Sequence, residues 1–257
     1  MLDNMRDVIR AELDAVEREH GVRVLLAVES GSRAWGFASP DSDYDVRLIY
    51  MHEPRHYLAL QDQRDVIEWK LDEVLDINGW DLNKALRLMR ASNPTLLEWM
   101  NSPMVYMSTP EASRLQRLSD QAFRSRACAF HYLSMARKLV ERHFQDECVP
   151  PKKYLYVMRS LLAARWVLDR NEPAPVLFDE LCQALLPAAL SDALAGLLAK
   201  KAVMDEGETI GHLPILDEWM NAEYALLHQR AQTMAELPKL EWSEFNELFF
   251  SLLGVGR

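Results

Sequence analysis

A glycine-serine turn joins two apolar runs in this 257-residue chain and limits the folds that the chain can adopt. The first run, residues 22–28, is rich in β-branched and apolar residues and is too short for an ordinary helix, which predicts a buried strand. Gly31 and Ser32 follow it, and this pair lets the backbone turn sharply and approach a ligand. If a helix begins near Arg33, its free N–H groups point at that ligand. The turn therefore predicts a phosphate-binding corner.

The second apolar run, residues 44–50, alternates as a strand does. Asp43, Asp45 and Arg47 share one face of it, opposite the apolar side chains. Two carboxylates at i and i+2 repel each other unless a cation lies between them, and oxygen ligands favour Mg²⁺. Beside a phosphate corner, this pattern predicts metal-assisted phosphoryl or nucleotidyl transfer. Arg47 either neutralises a departing pyrophosphate or forms a structural salt bridge with Asp45.

Two other interpretations of the aspartates remain open. They could begin a calcium-binding loop at Asp41, but that loop requires Gly at its sixth position and Glu at its twelfth, where this chain has Val46 and His52. They could also be a solvated turn without chemistry, because Asp-Ser-Asp runs are common in loops.

The order of a Gly-Ser turn, a short helix and Asp-x-Asp on the next strand resembles the DNA polymerase beta-like nucleotidyltransferase superfamily. The longer string GSRAWGFASPDSDYDVRLIY resembles the RlaP type, predicted nucleotidyltransferases associated with RNA repair. This resemblance continues through residues 79–82, 93–94 and 97–99 to residues 152–154. It implies transfer of a nucleoside monophosphate from an NTP to a hydroxyl acceptor, with release of pyrophosphate. It also implies two Mg²⁺ ions, or Mn²⁺, on Asp43 and Asp45, with the β- and γ-phosphates on Gly31 and Ser32 and with Arg33 near the pyrophosphate.

Enzymes of this kind generally need a third carboxylate from a neighbouring strand. Asp76 has the matching context, because it stands alone between Leu75 and Ile77, and we predict that it completes the metal site. Asp81 is the rival, although it is also a natural N-cap for the helix that follows. Asp72 is a weaker candidate in a polar connection.

The net charge of −10 conceals a basic middle segment. Residues 111–170 carry 12 basic and 6 acidic groups, whereas the segments on either side are acidic. Lys152 and Lys153 open a helix within it and, with Arg159, are predicted to contact a triphosphate or an RNA phosphate, while Tyr154 stacks on a base. The alternatives are a solvated lysine pair and a core aromatic.

The predicted fold is α/β (α+β). Residues 1–110 form a nucleotidyltransferase domain, a small mixed sheet with helices on one side, and residues 111–257 form an all-helical domain that could bind the acceptor or the nucleotide. The active site is expected in the cleft between them. The chain has no apolar run of about 18 residues and no leader of a secretory kind, so we expect a cytoplasmic protein without a membrane span.

Three hypotheses for the function remain at this point. The first is transfer to an RNA 3′ end such as that of tRNA, which rests on the resemblance and on the basic middle segment. The second is transfer to a protein or a small molecule. The third is a non-catalytic module that binds NTP, such as an antitoxin partner, and the presence of three suitable carboxylates counts against it.

Overall fold

The computed structural model describes residues 2–39, 42–72, 74–204 and 207–255. Within them, helices and strands alternate over the first 110 residues, and helices dominate the rest, which confirms the predicted α/β fold class. In chain order the elements are α1 Leu2–His20, β1 Val22–Glu29, α2 Gly31–Trp35, β2 Tyr44–His52, α3 Pro54–Tyr57, β3 Val66–Leu71, β4 Leu75–Asp81, α4 Leu82–Arg90, α5 Pro94–Met100, β5 Val105–Ser108, α6 Pro110–Ala122, α7 Ser125–His143, β6 Cys148–Val149, α8 Pro151–Arg170, α9 Phe178–Leu185, a 3₁₀ helix Ala188–Leu190, α10 Ser191–Val203, β7 Ile210–Gly211, α11 Pro214–Thr233 and α12 Trp242–Leu253.

Two compact units make up the chain. The first contains Met1–Ala34, Ser42–Phe123 and Lys239–Arg257, and the second contains Trp35–Asp41 and Arg124–Pro238. The first unit therefore extends to Phe123, beyond the predicted boundary at residue 110, and it also contains the C-terminal helix α12. The reason is packing, because α6 and α12 bury Leu115 and Phe245 in the core of that unit.

The first unit is built on a five-stranded mixed sheet with the order β3-β4-β2-β1-β5. β2 and β4 are parallel neighbours, and the other pairs are antiparallel. Since side chains alternate along a strand, β2 sends Leu48 and Tyr50 into one core and Ile49 and Met51 into another.

Helices cover both faces of this sheet. The α1 helix packs on one face through Ile9, Leu13 and Val16. The α4, α5, α6 and α12 helices pack on the other. The expectation of helices on one side is therefore wrong: both faces of the sheet are apolar, so each must be covered to exclude water.

The second unit is organised around α8, which contacts α7, α9, α10 and α11. Most of its side chains are buried, as a helix surrounded by other helices requires. This unit is not all-helical, because β6 and β7 pair as a two-stranded antiparallel sheet. These strands have two residues each, which is too short for an alternating pattern to reveal them.

Candidate active site

The turn after β1 brings the backbone against a carboxylate. Gly31 begins α2 with a φ of +59°, in the left-handed region that favours glycine. A Cβ atom at this position would lie 2.0 Å from Oδ2 of Asp45, so no larger residue fits unless Asp45 moves. Ser32 follows in the first turn of α2 and is buried. The predicted sharp turn is thus present, and the side chain nearest to Gly31 is that of Asp45.

The aspartates that follow lie as the alternation predicts. Asp43 is exposed and immediately precedes β2, whereas Asp45 lies within β2 and is partly buried. In the parallel register of β2 and β4, Asp45 is directly opposite Asp76. The structure therefore places Asp76 beside Asp45 on a neighbouring strand. Asp41 lies outside the described residues.

Arg47 joins these two carboxylates. Its Nη2 donates to Oδ1 of Asp45 and to Oδ2 of Asp76, each at 2.7 Å. Its Nη1 donates to the backbone oxygens of Asp76 at 3.0 Å and Val46 at 3.1 Å. Of the two roles left open for Arg47, the salt bridge to Asp45 is present, and it extends to Asp76. The guanidinium supplies the positive charge that two adjacent carboxylates require.

The pKa of Asp45 lies above its ordinary value. Burial is the main cause, and the nearby carboxylates of Asp76 and Asp43 raise the pKa further, while Arg47 lowers it. A carboxylate in this setting is ionised at a cost, and additional positive charge near it would be stabilising.

A fully buried carboxylate, that of Glu29, holds the backbone of Asp45 in place. Glu29, at the end of β1, is inaccessible to solvent and accepts hydrogen bonds from the backbone N–H of Asp45, at 2.8 Å, and from the hydroxyl of Tyr106. Burial raises the pKa of Glu29. Glu29 is not among the residues that the sequence patterns predicted for the site. The available signal was a single carboxylate that ends an otherwise apolar strand.

Arg33 lies in the first unit and fixes the loop that carries Asp43. Its Nε donates to the backbone oxygen of Asp43 at 3.0 Å, and its Nη2 donates to that of Ser42 at 2.5 Å. The guanidinium carbon lies 3.8 Å from the centre of the Tyr44 ring. These contacts give Arg33 a structural role in the turn before β2, and its role toward a nucleotide remains a prediction.

The two rival carboxylates are engaged elsewhere. Asp81 is the N-cap of α4, as its position predicted, and it accepts from the N–H of Asn83 at 2.7 Å and the hydroxyl of Tyr57 at 2.8 Å. Asp72 accepts from the N–H groups of Val74 and Leu75 in the connection before β4. Neither residue lies beside Asp45 in the strand register.

The remaining predicted residues belong to the second unit. Lys152 and Lys153 are half-buried in the first turn of α8, and the Lys153 ammonium lies 5.5 Å from the centre of the Tyr156 ring. Tyr154 is fully buried. Its hydroxyl donates to Asp217 at 2.8 Å and accepts from the N–H of Leu213 at 3.0 Å. The prediction that Tyr154 stacks on a base is wrong, because no face of its ring is accessible.

Arg159, one turn further along α8, is also buried. Its Nη2 donates to the backbone oxygen of Val176 at 3.0 Å, and its guanidinium carbon lies 4.4 Å from the centre of the Trp35 ring. Burial withdraws this guanidinium from a phosphate in solvent, so these contacts support a structural role within the second unit.

Carboxylate oxygens from Asp43, Asp45 and Asp76 are the kind of donor that Mg²⁺ takes. Over the described residues, however, no three His, Cys, Asp or Glu side chains converge as a complete metal site. Mg²⁺ commonly binds through one or two carboxylates together with substrate phosphates, so a partial protein site fits this ion.

The Gly-Ser turn and the facing aspartates Asp45 and Asp76 thus lie together on one mixed sheet. Residues 5–251 match the model of the RNA repair pathway DNA polymerase beta family, and the chain belongs to this family. It is 37% identical over 249 residues to the uncharacterized protein YcgL of Bacillus subtilis (strain 168), a match that covers 96% of each chain. A nucleotidyltransferase-like protein from Exiguobacterium sibiricum 255-15 aligns with 96% of this chain and 79% of its own, at 12% identity and a TM-score of 0.33. None of the helices in the described ranges has the length and apolar character needed to cross a bilayer.

Proposed function

We propose that this protein is a Mg²⁺-dependent nucleotidyltransferase that moves a nucleoside monophosphate from an NTP to a hydroxyl acceptor and releases pyrophosphate. The observation that carries the proposal is the pairing of Asp45 with Asp76 across two parallel strands, at the edge where Gly31 contacts Asp45. Membership of the RNA repair pathway DNA polymerase beta family agrees with this chemistry. We propose an RNA 3′ end as the acceptor, which rests on the family description and on the basic segment 111–170.

In this proposal, Asp43, Asp45 and Asp76 hold Mg²⁺ together with the phosphates of the NTP. When bound, the ion neutralises phosphate charge and lowers the pKa of the attacking hydroxyl. The chain's own contribution is positional. Glu29 anchors the backbone of Asp45, Gly31 leaves space for its carboxylate, and the strand register places Asp76 alongside.

Gly31 and Ser32 are proposed to hold the β- and γ-phosphates, because a glycine without Cβ permits close approach of the backbone. Arg47 already donates to four oxygen atoms, two of which belong to the carboxylates. It therefore sets the spacing of the aspartates, and a role toward pyrophosphate requires it to release one of these bonds. Lys152 and Lys153 are proposed as contacts for polyphosphate or RNA phosphates.

The test is incubation of the purified protein with each α-labelled NTP, Mg²⁺ or Mn²⁺, and total tRNA, followed by a denaturing gel. Asp45→Asn should reduce labelling by more than about 100-fold, since even residues that only support a metal ligand typically contribute 10–100-fold. Asp14→Asn is the matched control, because Asp14 is an exposed aspartate of α1 in the same unit.

Labelled RNA that disappears in Asp45→Asn and persists in Asp14→Asn supports the proposal. Label on protein, or release of pyrophosphate without labelled RNA, would replace RNA with another acceptor. Full labelling by Asp45→Asn would refute the assigned site, and NTP binding without any turnover would make the protein a non-catalytic binding module.

A further inference from the structure

A cavity of about 520 Å³ lies between α4 and α12 in the first unit. We call it the α4–α12 cavity. Three basic residues line it, Arg87, Arg90 and Lys239, together with the aromatic rings of Trp242 and Phe249. None of the described residues that line it is acidic. In a chain with a net charge of −10, this concentration of positive charge beside aromatic rings favours an anionic, planar ligand.

The indole of Trp242 is held in place and remains accessible. Arg90 places its guanidinium carbon 4.3 Å from the centre of this ring, and its Nε donates to the backbone oxygen of Leu240 at 3.0 Å. Trp242 nevertheless keeps 45% of its surface exposed. An aromatic ring that is oriented by a cation and open to solvent is the kind of platform on which nucleic-acid bases stack.

The α12 helix separates its aromatic residues from its acidic ones. Trp242, Asn246 and Phe249 follow the spacing of i, i+4 and i+7, which places them on one face, and all three line the cavity. Glu244 and Glu247 on the same helix and Glu241, its N-cap, are exposed and do not line the cavity. The acidic face of the helix is therefore directed away from the ligand that the cavity would take.

Arg87 is exposed on α4, and Lys239 is exposed just before α12. Both side chains therefore contribute a solvent-accessible positive charge to the lining of the cavity. Asn83 and Asn246 add two amides, which carry both hydrogen-bond donors and acceptors. Cations, amides and a stacking ring together match the phosphate, the base edge and the base face of a nucleotide.

We propose that the α4–α12 cavity binds a nucleotide unit, with its base stacked on Trp242 and its phosphate on Arg87 and Lys239. A single strand of RNA and a free nucleotide both present this chemistry. The site is separate from the Asp45 group, since Asp76 and Asp81 lie at opposite ends of β4, about 16 Å apart at about 3.3 Å per residue, and α4 begins after Asp81. Binding here does not depend on the proposed transfer reaction.

The experiment measures binding by the full chain in EDTA, so that turnover does not interfere. Fluorescence anisotropy follows a fluorescein-labelled, unstructured 12-nucleotide RNA, and calorimetry follows AMP. Trp242→Ala should weaken binding by about 5- to 100-fold, and Trp242→Phe should keep most of the affinity because it keeps a ring. The double variant Arg87→Gln/Lys239→Gln should weaken RNA binding and reduce the slope of log K against log salt by about 1.4, for two lost phosphate contacts.

The matched control is Arg10→Gln, which removes an exposed arginine of α1 and should change neither affinity nor slope beyond a small nonspecific effect. Asp45→Asn should retain binding, which separates this site from the proposed chemistry. RNA binding without AMP binding identifies a strand as the ligand, and AMP binding with equal affinity identifies a free nucleotide.

Three results would overturn the proposal. The first is that the wild-type chain binds neither ligand. The second is that Arg87→Gln/Lys239→Gln matches Arg10→Gln in affinity and slope. The third is that Trp242→Ala alters the oligomeric state while affinity is unchanged, which would make this face a self-association surface. Because Arg87 and Lys239 are exposed, their variants remain informative even if Trp242→Ala fails to fold.

Discussion

Replacement of Gly31 by alanine tests whether the turn after β1 exists to accommodate Asp45. Gly31 has a φ of +59°, and an alanine in this left-handed region costs about 1–2 kcal/mol. The new Cβ would also lie 2.0 Å from Oδ2 of Asp45, whereas ordinary contact begins near 3.4 Å, so the carboxylate must retreat by about 1.4 Å. That movement disturbs the 2.7 Å hydrogen bond between Asp45 and Arg47.

The second cost can be estimated from this bond. A hydrogen bond to a charged group contributes about 1.5–3 kcal/mol, and we expect about 1–2 kcal/mol to be lost here because the Asp45 side chain is 30% exposed and water replaces part of the interaction. Gly31→Ala should therefore destabilise the chain by about 2–4 kcal/mol in all.

The chain provides a control for the backbone cost alone. Gly21 has a φ of +61°, and a Cβ there would meet no atom within 4 Å. Gly21→Ala should therefore cost only about 1–2 kcal/mol, and the difference between the two variants isolates the collision with Asp45. Urea unfolding at pH 7, with equal m-values, gives both free energies of unfolding. Equal destabilisation by the two substitutions would show that contact with Asp45 does not account for the glycine at position 31.

The remaining predictions concern three buried or half-buried groups. Tyr154→Phe should lower the free energy of unfolding by about 1–2 kcal/mol, since it removes the hydroxyl's hydrogen bonds with the half-buried Asp217 and Leu213, and should leave NTP affinity unchanged by calorimetry. A loss of affinity without loss of stability would contradict its burial. The pKa of Glu29 is raised by burial, so the stability that its protonation contributes is lost as pH rises from about 4.5 through the folded-state pKa. In urea unfolding from pH 4.5 to 7, the free energy of unfolding of Glu29→Gln should therefore increase relative to that of the wild type as the pH rises. A difference in free energy that stays constant over this pH range would contradict the prediction. Arg47→Met should destabilise the chain by about 1–3 kcal/mol, and Asp45→Asn in that background should restore part of the loss by relieving repulsion, whereas a further loss on adding Asp45→Asn would show that repulsion is not the cause.

Local patterns of the sequence account for much of the fold. The period of two in residues 44–50 predicted which side chains of β2 share a face, and the N-cap chemistry of Asp81 predicted the start of α4. The Gly-Ser pair predicted the turn after β1. These features depend on residues that are close in the chain, so a single sequence reveals them.

The parts that the sequence could not determine depend on contacts between distant residues. Candidates Asp72, Asp76 and Asp81 lie within ten residues of one another, and only the pairing of β2 with β4 decides which one lies opposite Asp45. The role of Glu29 likewise depends on a distant contact, because its hydrogen-bond partner Tyr106 is 77 residues away in the chain.

For Tyr154, the chain indicates the position in a helix, whereas the tertiary structure decides the burial. Its position at the start of α8 was readable from the chain, but its burial depends on packing against α11 and on a hydrogen bond to Asp217, 63 residues later. Backbone sterics and side-chain periodicity act locally, so the strands, the turn and the face that each aspartate occupies follow from the chain alone. Which carboxylates meet, and which aromatic ring is buried, depends on strand register and helix packing, which minimise the exposed apolar surface of the whole unit.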